Sequence, residues 1–206
     1  MSAEALQRAV EVMDRLRSPG GCPWDAAQTH QSLAKYLIEE TYETLEAIET
    51  GDMALLREEL GDLLLQVLFH ARLAEELPAG QRFSIDDVAG DLVDKLVHRH
   101  PHVFADVTVS GVDELNENWE RLKMAEKGRT SIVEGVPMGQ PALALAAKLV
   151  SRAGRAEVDV AVEGDGIGER LLDVVRDAVA AGVDPELALR ETARAYRDGL
   201  RDAETR

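Results

Sequence analysis

The stretch Glu58-Glu59-Leu60-Gly61-Asp62-Leu63-Leu64-Leu65-Gln66-Val67-Leu68-Phe69 decides the fold. Between Leu63 and Phe69 it is apolar almost all round, and it belongs to a periodic segment running from about Met53 to Leu77, far longer than a strand. The pattern predicts a long helix buried on most of its sides. Two acids interrupt it. On a helical wheel Asp62 shares a side with Leu55, Phe69 and Leu73, and Glu59 lies between that side and the stripe of Leu56, Leu60 and Leu63.

Outward from this helix the same periodicity continues. Upstream, an amphipathic helix is expected from about Ala3 to Arg17, ended by Ser18-Pro19-Gly20-Gly21, with Cys22-Pro23-Trp24-Asp25 as a loop. Thr29 reads as the N-cap of a second helix to Thr50, and Gly51-Asp52 as the turn into the third. Downstream of Pro78-Ala79-Gly80, Ser84 with Asp87 resembles a capping box for a fourth helix ending near His100-Pro101. A fifth helix is expected over Val112 to Lys127, and a linker over 128–141 containing Pro137, Gly139 and Pro141. Three weaker helices follow, near Ala142 to Ala153, Ile167 to Ala181 and Pro185 to Ala203. The chain reads as all-α.

Composition agrees and removes several classes of function. In 206 residues, 45% are hydrophobic, enough for a buried core, and only 4% are aromatic. The net charge of -16 leaves no broad basic face for extended nucleic acid. A lone cysteine, Cys22, excludes an internal disulfide. No apolar run of membrane-spanning length and no signal peptide is visible, so the expectation is a cytoplasmic protein without a membrane partner.

The second helix carries its own misplaced acids. Leu33, Leu37, Ala47 and Ile48 form an apolar arc that continues to Leu45 and Ile38; Glu40 falls inside it and Glu43 on its edge. Glu40 and Glu43 are spaced i, i+3, as are Glu59 and Asp62, so each pair shares a face of its helix. Carboxylates gathered in a partly dry site repel one another and must take up protons or bind a cation. The all-oxygen donor set favours Mg2+, or Mn2+, over zinc. A di-iron centre would want Glu-x-x-His on paired helices, which neither Glu40 nor Glu59 begins.

A bound cation would let so acidic a protein hold a polyphosphate. No G-x-x-x-x-G-K-[ST] loop is present, so phosphates would rest on metal and side chains. Lys95 and Arg99, spaced i, i+4, and Trp119 and Lys123 at the same spacing, are the basic and aromatic candidates, against ordinary surface ion pairs and a core tryptophan. His98, His100 and His102 around Pro101 look like an interhelical corner more than a metal site.

Five segments carry a resemblance: Gly21-Cys22-Pro23-Trp24-Asp25, Gln28-Thr29-His30, Glu39-Glu40-Thr41-Tyr42-Glu43, Glu58 to Leu64, and His100-Pro101-His102-Val103-Phe104. Together they resemble the MazG family of nucleoside triphosphate pyrophosphohydrolases over about residues 5 to 127. The resemblance implies an all-α bundle completed by a homodimer, and Mg2+-dependent cleavage of a nucleoside triphosphate substrate to monophosphate and pyrophosphate. By position it implies Glu40, Glu43, Glu59 and Asp62 as metal ligands and Glu39 as the acid that orients the attacking water. It also implies Lys95, Arg99, Trp119 and Lys123 as contacts to triphosphate and nucleoside.

The second half departs from the pattern. Ile167-Gly168-Glu169-Arg170-Leu171-Leu172 and Pro185-Glu186-Leu187-Ala188 echo Leu60 to Leu64 and Asp86 to Ala89 in the same order. Gly166 stands where the first acid of E-x-x-D belongs, and the E-E-x-x-E helix is missing. The organisation expected is a catalytic domain over 1–127, a linker over 128–141 and a degenerate, metal-free copy over 142–206. The function expected is nucleotide-pool housekeeping; the competing reading is a non-catalytic helical regulator that binds a nucleotide or a protein.

Overall fold

A computed structural model describes residues 4–105, 107, 111 and 131–205. Every regular element among them is helical, as the periodicity predicts. The chain divides into two compact units, Met1–Leu115 and Asn116–Arg206. The expected fifth helix, with Trp119 and Lys123, and its junction with the linker lie outside the described residues.

The first unit contains α1 (Glu4–Arg17), α2 (Pro23–Ala27), α3 (His30–Thr50), α4 (Met53–Ala74), α5 (Ile85–Arg99) and α6 (Pro101–Phe104). Its spine is the α3–α4 hairpin, whose ends are set by local chemistry. Thr29 and Ser32 form a reciprocal capping box: the Ser32 N–H donates to Thr29 Oγ1 at 3.1 Å, and the Thr29 N–H donates to Ser32 Oγ at 2.9 Å. At the other end Gly51 adopts φ 73°, the left-handed conformation that a Cβ penalises, and its N–H returns to the carbonyls of Ala47 and Ile48. Asp52 then starts α4 at once, its carboxylate accepting from the N–H groups of Ala54 and Leu55 at 3.0 Å each. Two adjacent residues therefore end one helix, begin the next and reverse the chain.

α1 lies across this hairpin. Met13, Leu33, Leu68, Phe69 and Leu73 form the buried core, with Ala9, Val10, Tyr36 and Ile85 packed against it. Trp24 meets Tyr36 and Phe69 edge-on, with ring centroids 6.0 and 6.4 Å away. Arg17, its side chain only 8% exposed, makes a two-pronged bond to Glu76, each contact 2.9 Å, and donates to the Asp25 carbonyl. Arg72 ties Asp14 to the same Glu76. The ends of α1, α2 and α4 are thus joined through charge-assisted bonds, and Arg17 holds the Glu76 carboxyl below the usual carboxylate range.

Three expectations need correction. Pro23–Ala27 forms a helical turn rather than a loop: Pro23 occupies the first helical position, where its fixed φ is helical and its missing N–H costs nothing. α4 ends at Ala74, three residues before the expected Leu77, in turns that lead to Pro78. Lastly, α4 is not buried on most sides: Leu60, Leu64, Leu65 and Val67 are 36–52% exposed, and on α3 Leu37, Ile38 and Ile48 are exposed as well. The core of this unit covers one side of each helix, and a second apolar side faces outward.

The second unit contains α7 (Ala142–Arg155), α8 (Ile167–Ala180) and α9 (Pro185–Glu204), close to the expected spans, with α7 packed on the other two. Val175 is buried, and the buried Arg152 donates to the carbonyls of Ile132 and Glu134 at 2.7 and 2.9 Å, fixing the segment that precedes α7. Asp184 caps α9 through the Leu187 N–H, with Pro185 at its first position.

The α3–α4 turn yields a test. Nothing crowds the space where a Cβ at Gly51 would sit, so Gly51→Ala meets only the left-handed backbone penalty, about 1–2 kcal/mol. Asp52→Ala should cost about 1 kcal/mol through its lost cap. Urea denaturation measures both, and an unshifted midpoint for Gly51→Ala would refute the conformational role of that glycine.

Candidate metal centre

Because α3 and α4 run antiparallel from the Gly51-Asp52 turn, the acids along one helix come opposite those along the other. Glu43 and Asp62 both bear on Glu59, and Asp62, Glu43 and Glu59 all bear on Glu40. Glu40, Glu43 and Glu59 each present a carboxylate oxygen within 4.8 Å of the other two. Asp62, half-buried one turn along α4, stands outside this triangle while bearing electrostatically on both Glu40 and Glu59.

Burial within the group is uneven. Glu59 is 8% exposed, Glu40 is half-buried and Glu43 is exposed. The pKa of Glu40 is raised, by burial first and then by Asp62, Glu43 and Glu59, and its carboxyl shares a hydrogen bond with Glu43. Glu59 is raised likewise, by burial first and then by Glu43, Asp62 and Glu58. Among the described residues, no lysine, arginine or histidine contributes to either shift. Negative charge concentrated in this way suits a divalent cation.

The donors fit a hard cation. An octahedral Mg2+ with bonds of about 2.0–2.1 Å spreads its ligand oxygens over roughly 3–4 Å, within the span these three carboxylates already have. Side chains of this length, with one member exposed, also leave coordination positions for water or phosphate oxygens.

The remaining predicted residues are placed as follows. Glu39 is exposed on α3, about 100° around the helix from Glu40. Lys95 is exposed and Arg99 half-buried, one turn apart on α5, which packs against α4. Trp119 and Lys123 lie outside the described residues. In the second unit Glu169 sits in the first turn of α8, folded back over the Gly164 to Gly166 segment so closely that a Cβ at Gly166 would strike its carboxylate.

Two polar residues escaped the sequence reading. Thr44 and Gln66 stand one turn beyond Glu40 and Asp62 on α3 and α4, only 7% and 4% exposed, and Thr44 Oγ1 and Gln66 Oε1 have no hydrogen-bond partner among the described residues. Their i, i+4 spacing from the acids was visible in the sequence; their burial was not.

Two antiparallel helices that bring carboxylates together on facing sides define an all-α protein with an acidic cluster at its centre. Residues 28–104 match the MazG nucleotide pyrophosphohydrolase domain. The chain is 58% identical over 202 residues to an uncharacterized 26.1 kDa protein of the blaB 3' region of Streptomyces cacaoi, covering 97% of this chain and 82% of that one. It is 47% identical over 201 residues to the nucleoside triphosphate pyrophosphohydrolase of Mycobacterium tuberculosis, covering 98% of this chain but 58% of that protein. It is 40% identical over 186 residues to the enzyme of the same name from Escherichia coli K12, covering 87% of this chain and 70% of that one. The chain belongs to the MazG family of nucleotide pyrophosphohydrolases.

The raised carboxyls set a pH dependence. A carboxyl whose folded pKa lies above its ordinary value of 4.5 contributes stability that is complete below that value and is lost as pH rises through the folded pKa. Chelator-treated protein should therefore be penalised by this cluster at neutral pH. Glu59→Gln removes one of the repelling charges, so in EDTA at pH 7 its Tm should exceed that of the wild type, with the gap closing toward pH 4. Parallel Tm curves for the two proteins would show that the carboxylates do not repel as placed.

Proposed function

We propose that this chain hydrolyses nucleoside triphosphates, ribo- or deoxyribo-, to the monophosphate and pyrophosphate, with Mg2+ held by Glu40, Glu43, Glu59 and Asp62 and Mn2+ able to substitute. The observation that carries the reading is the meeting of carboxylate oxygens from two helices within 4.8 Å, inside the span that matches the family. The names of the mycobacterial and E. coli relatives support the substrate class. Since the chain spans little more than half of the mycobacterial protein, the reaction is assigned to its own first unit.

A bound Mg2+ supplies positive charge for phosphate oxygens and lowers the pKa of a coordinated water. The chain's residues do the rest. Glu59, the most buried of these acids, and Glu43, the exposed one, would hold the cation together with Glu40 and Asp62. Glu39 is assigned to orient the attacking water and take its proton. Lys95 and Arg99, one turn apart, clamp the phosphate tail, and Trp119 and Lys123 complete the contacts to triphosphate and nucleoside.

The outward apolar sides of α3 and α4 support a homodimer, in which Leu37, Ile38, Leu64, Leu65 and Val67 pack against a second copy. For the second unit we assign a degenerate copy without a catalytic cation: Glu169 is engaged at the start of α8 rather than presented across a hairpin. No helix among the described residues is long and apolar enough to cross a membrane, consistent with a role in the cytoplasmic nucleotide pool.

A panel of nucleoside triphosphates, with and without Mg2+, assayed for pyrophosphate against monophosphate, tests the reaction. Glu59→Gln and Asp62→Asn are expected to abolish turnover while the helical circular-dichroism signal is retained, and Glu169→Gln to leave turnover near wild type. Pyrophosphate release near the wild-type rate from the first two variants would overturn the site. Nucleotide binding without turnover in the wild type would instead favour the regulator.

A further inference from the structure

At the end of the α3–α4 hairpin away from the Gly51 turn, His30 opens α3 and His70 lies in the last turns of α4. Their rings lie nearly edge to edge in one plane, 5.0 Å between centroids and 6° from parallel, and the two Nδ1 atoms are 2.7 Å apart. Two nitrogens can approach so closely only if one carries a proton and the other offers a lone pair; two lone pairs or two N–H groups would repel. His70 Nε2 is buried without a hydrogen-bond partner among the described residues, so its ring has no second polar contact to hold it.

The neighbouring charges leave the pair to itself. On α4, Arg72 is bound to Asp14 and Glu76; on α1, Arg17 is bound to Glu76 and the Asp25 carbonyl of α2. On α3, Lys35 lies 4.5 Å over the Tyr36 ring, and on α5 Asp87 is engaged with Ser84. Glu40 and Asp62 lie at least two helical turns away along α3 and α4. Among the described residues, His30 is the one ionisable group that bears on the charge state of His70.

We propose that His30 and His70 form a proton-gated clasp, holding the start of α3 against α4 while they share a single Nδ1 proton and releasing it when both Nδ1 atoms are protonated. Burial first, and the adjacent His30 second, hold the pKa of His70 below the ordinary histidine value of 6.5. A histidine depressed in this way contributes stability that is present above 6.5 and lost as pH falls through the folded pKa. The clasp therefore opens on acidification. The part released is the first turn of α3, where the chain emerges from α2 and is otherwise held by the Thr29–Ser32 cap, the Ser32 bond to Gln28 and the buried Leu33.

Imidazole 15N spectra of the full chain test the clasp directly. At pH 7.5 one ring of the pair should carry an Nδ1–H and the other a bare Nδ1, and His70 should resist protonation to a pH below the ordinary histidine value of 6.5. Amide exchange at Leu33, in the first turn of α3, corrected for intrinsic rates, should accelerate about fivefold as His70 titrates, the equivalent of one ordinary hydrogen bond. His30→Phe keeps an aromatic ring at this position and removes the shared proton, so this step should vanish. If that variant does not fold, the wild-type spectra decide alone. Titration of His70 at or above the ordinary histidine value of 6.5, or the absence of an Nδ1–H from both rings at pH 7.5, overturns the proposal.

Discussion

The register of α3 against α4 is the constraint on which the rest of this structure depends. It is set at Gly51-Asp52, where a left-handed glycine and a capping aspartate reverse the chain with no intervening residue. A reversal this short leaves little freedom for one helix to slide along the other, so every pairing along the hairpin follows from it: Ala47 buried near the turn, Glu43 across from Glu59, Glu40 across from Asp62, Leu33 and Phe69 in the core, His30 on His70. A slip of one residue would rotate each carboxylate by about 100° and move it off the shared face.

That register stabilises both ends of the hairpin and opposes the hairpin in its middle. Near the turn and around Phe69 the contacts are apolar and favour folding. Between them the acids repel one another, as the raised pKa values of Glu40 and Glu59 record. Such repulsion survives in a folded protein only where the surrounding packing over-determines the geometry. Here the core of Met13, Leu33, Leu68, Phe69 and Leu73, with the Arg17–Glu76–Arg72 network beyond it, supplies that packing. The site is thus held open against its own charge by elements that do not touch it.

Which features could be read from sequence follows from the range of the interactions that make them. Helix ends at Thr29, Gly51-Asp52 and Ser84-Asp87 are fixed within three or four residues, and all were legible. The acids were legible because four carboxyls in apolar arcs break the helical pattern locally. Exposure was not. A helical wheel reports that Leu37, Ile38, Leu64, Leu65 and Val67 are apolar but not what covers them, and the chain itself does not. The His30–His70 contact joins residues forty apart whose types carry no pattern between them, so only the folded hairpin displays it. The roles given to Lys95, Arg99, Trp119 and Lys123 came from family resemblance, and no periodicity would have supplied them.

The second unit shows what the same local chemistry does without the hairpin. Its short reversal also pairs a left-handed glycine with a capping aspartate, Gly182 at φ 71° and Asp184 before Pro185, and α8 and α9 pack on α7 as helices with buried apolar faces. Yet α8 begins at Ile167, only two residues before Glu169, whereas α4 has run for more than two turns before Asp62, the residue that Glu169 matches by position. A carboxylate in a first turn is satisfied by the unpaired N–H groups and positive end of its own helix. One placed mid-helix has no such partner and must look outward, to another carboxyl's proton or to a cation. On the proposed reading, the turns missing before Glu169 leave its carboxylate at a helix start instead of facing other acids across a hairpin, so the position no longer serves a cation.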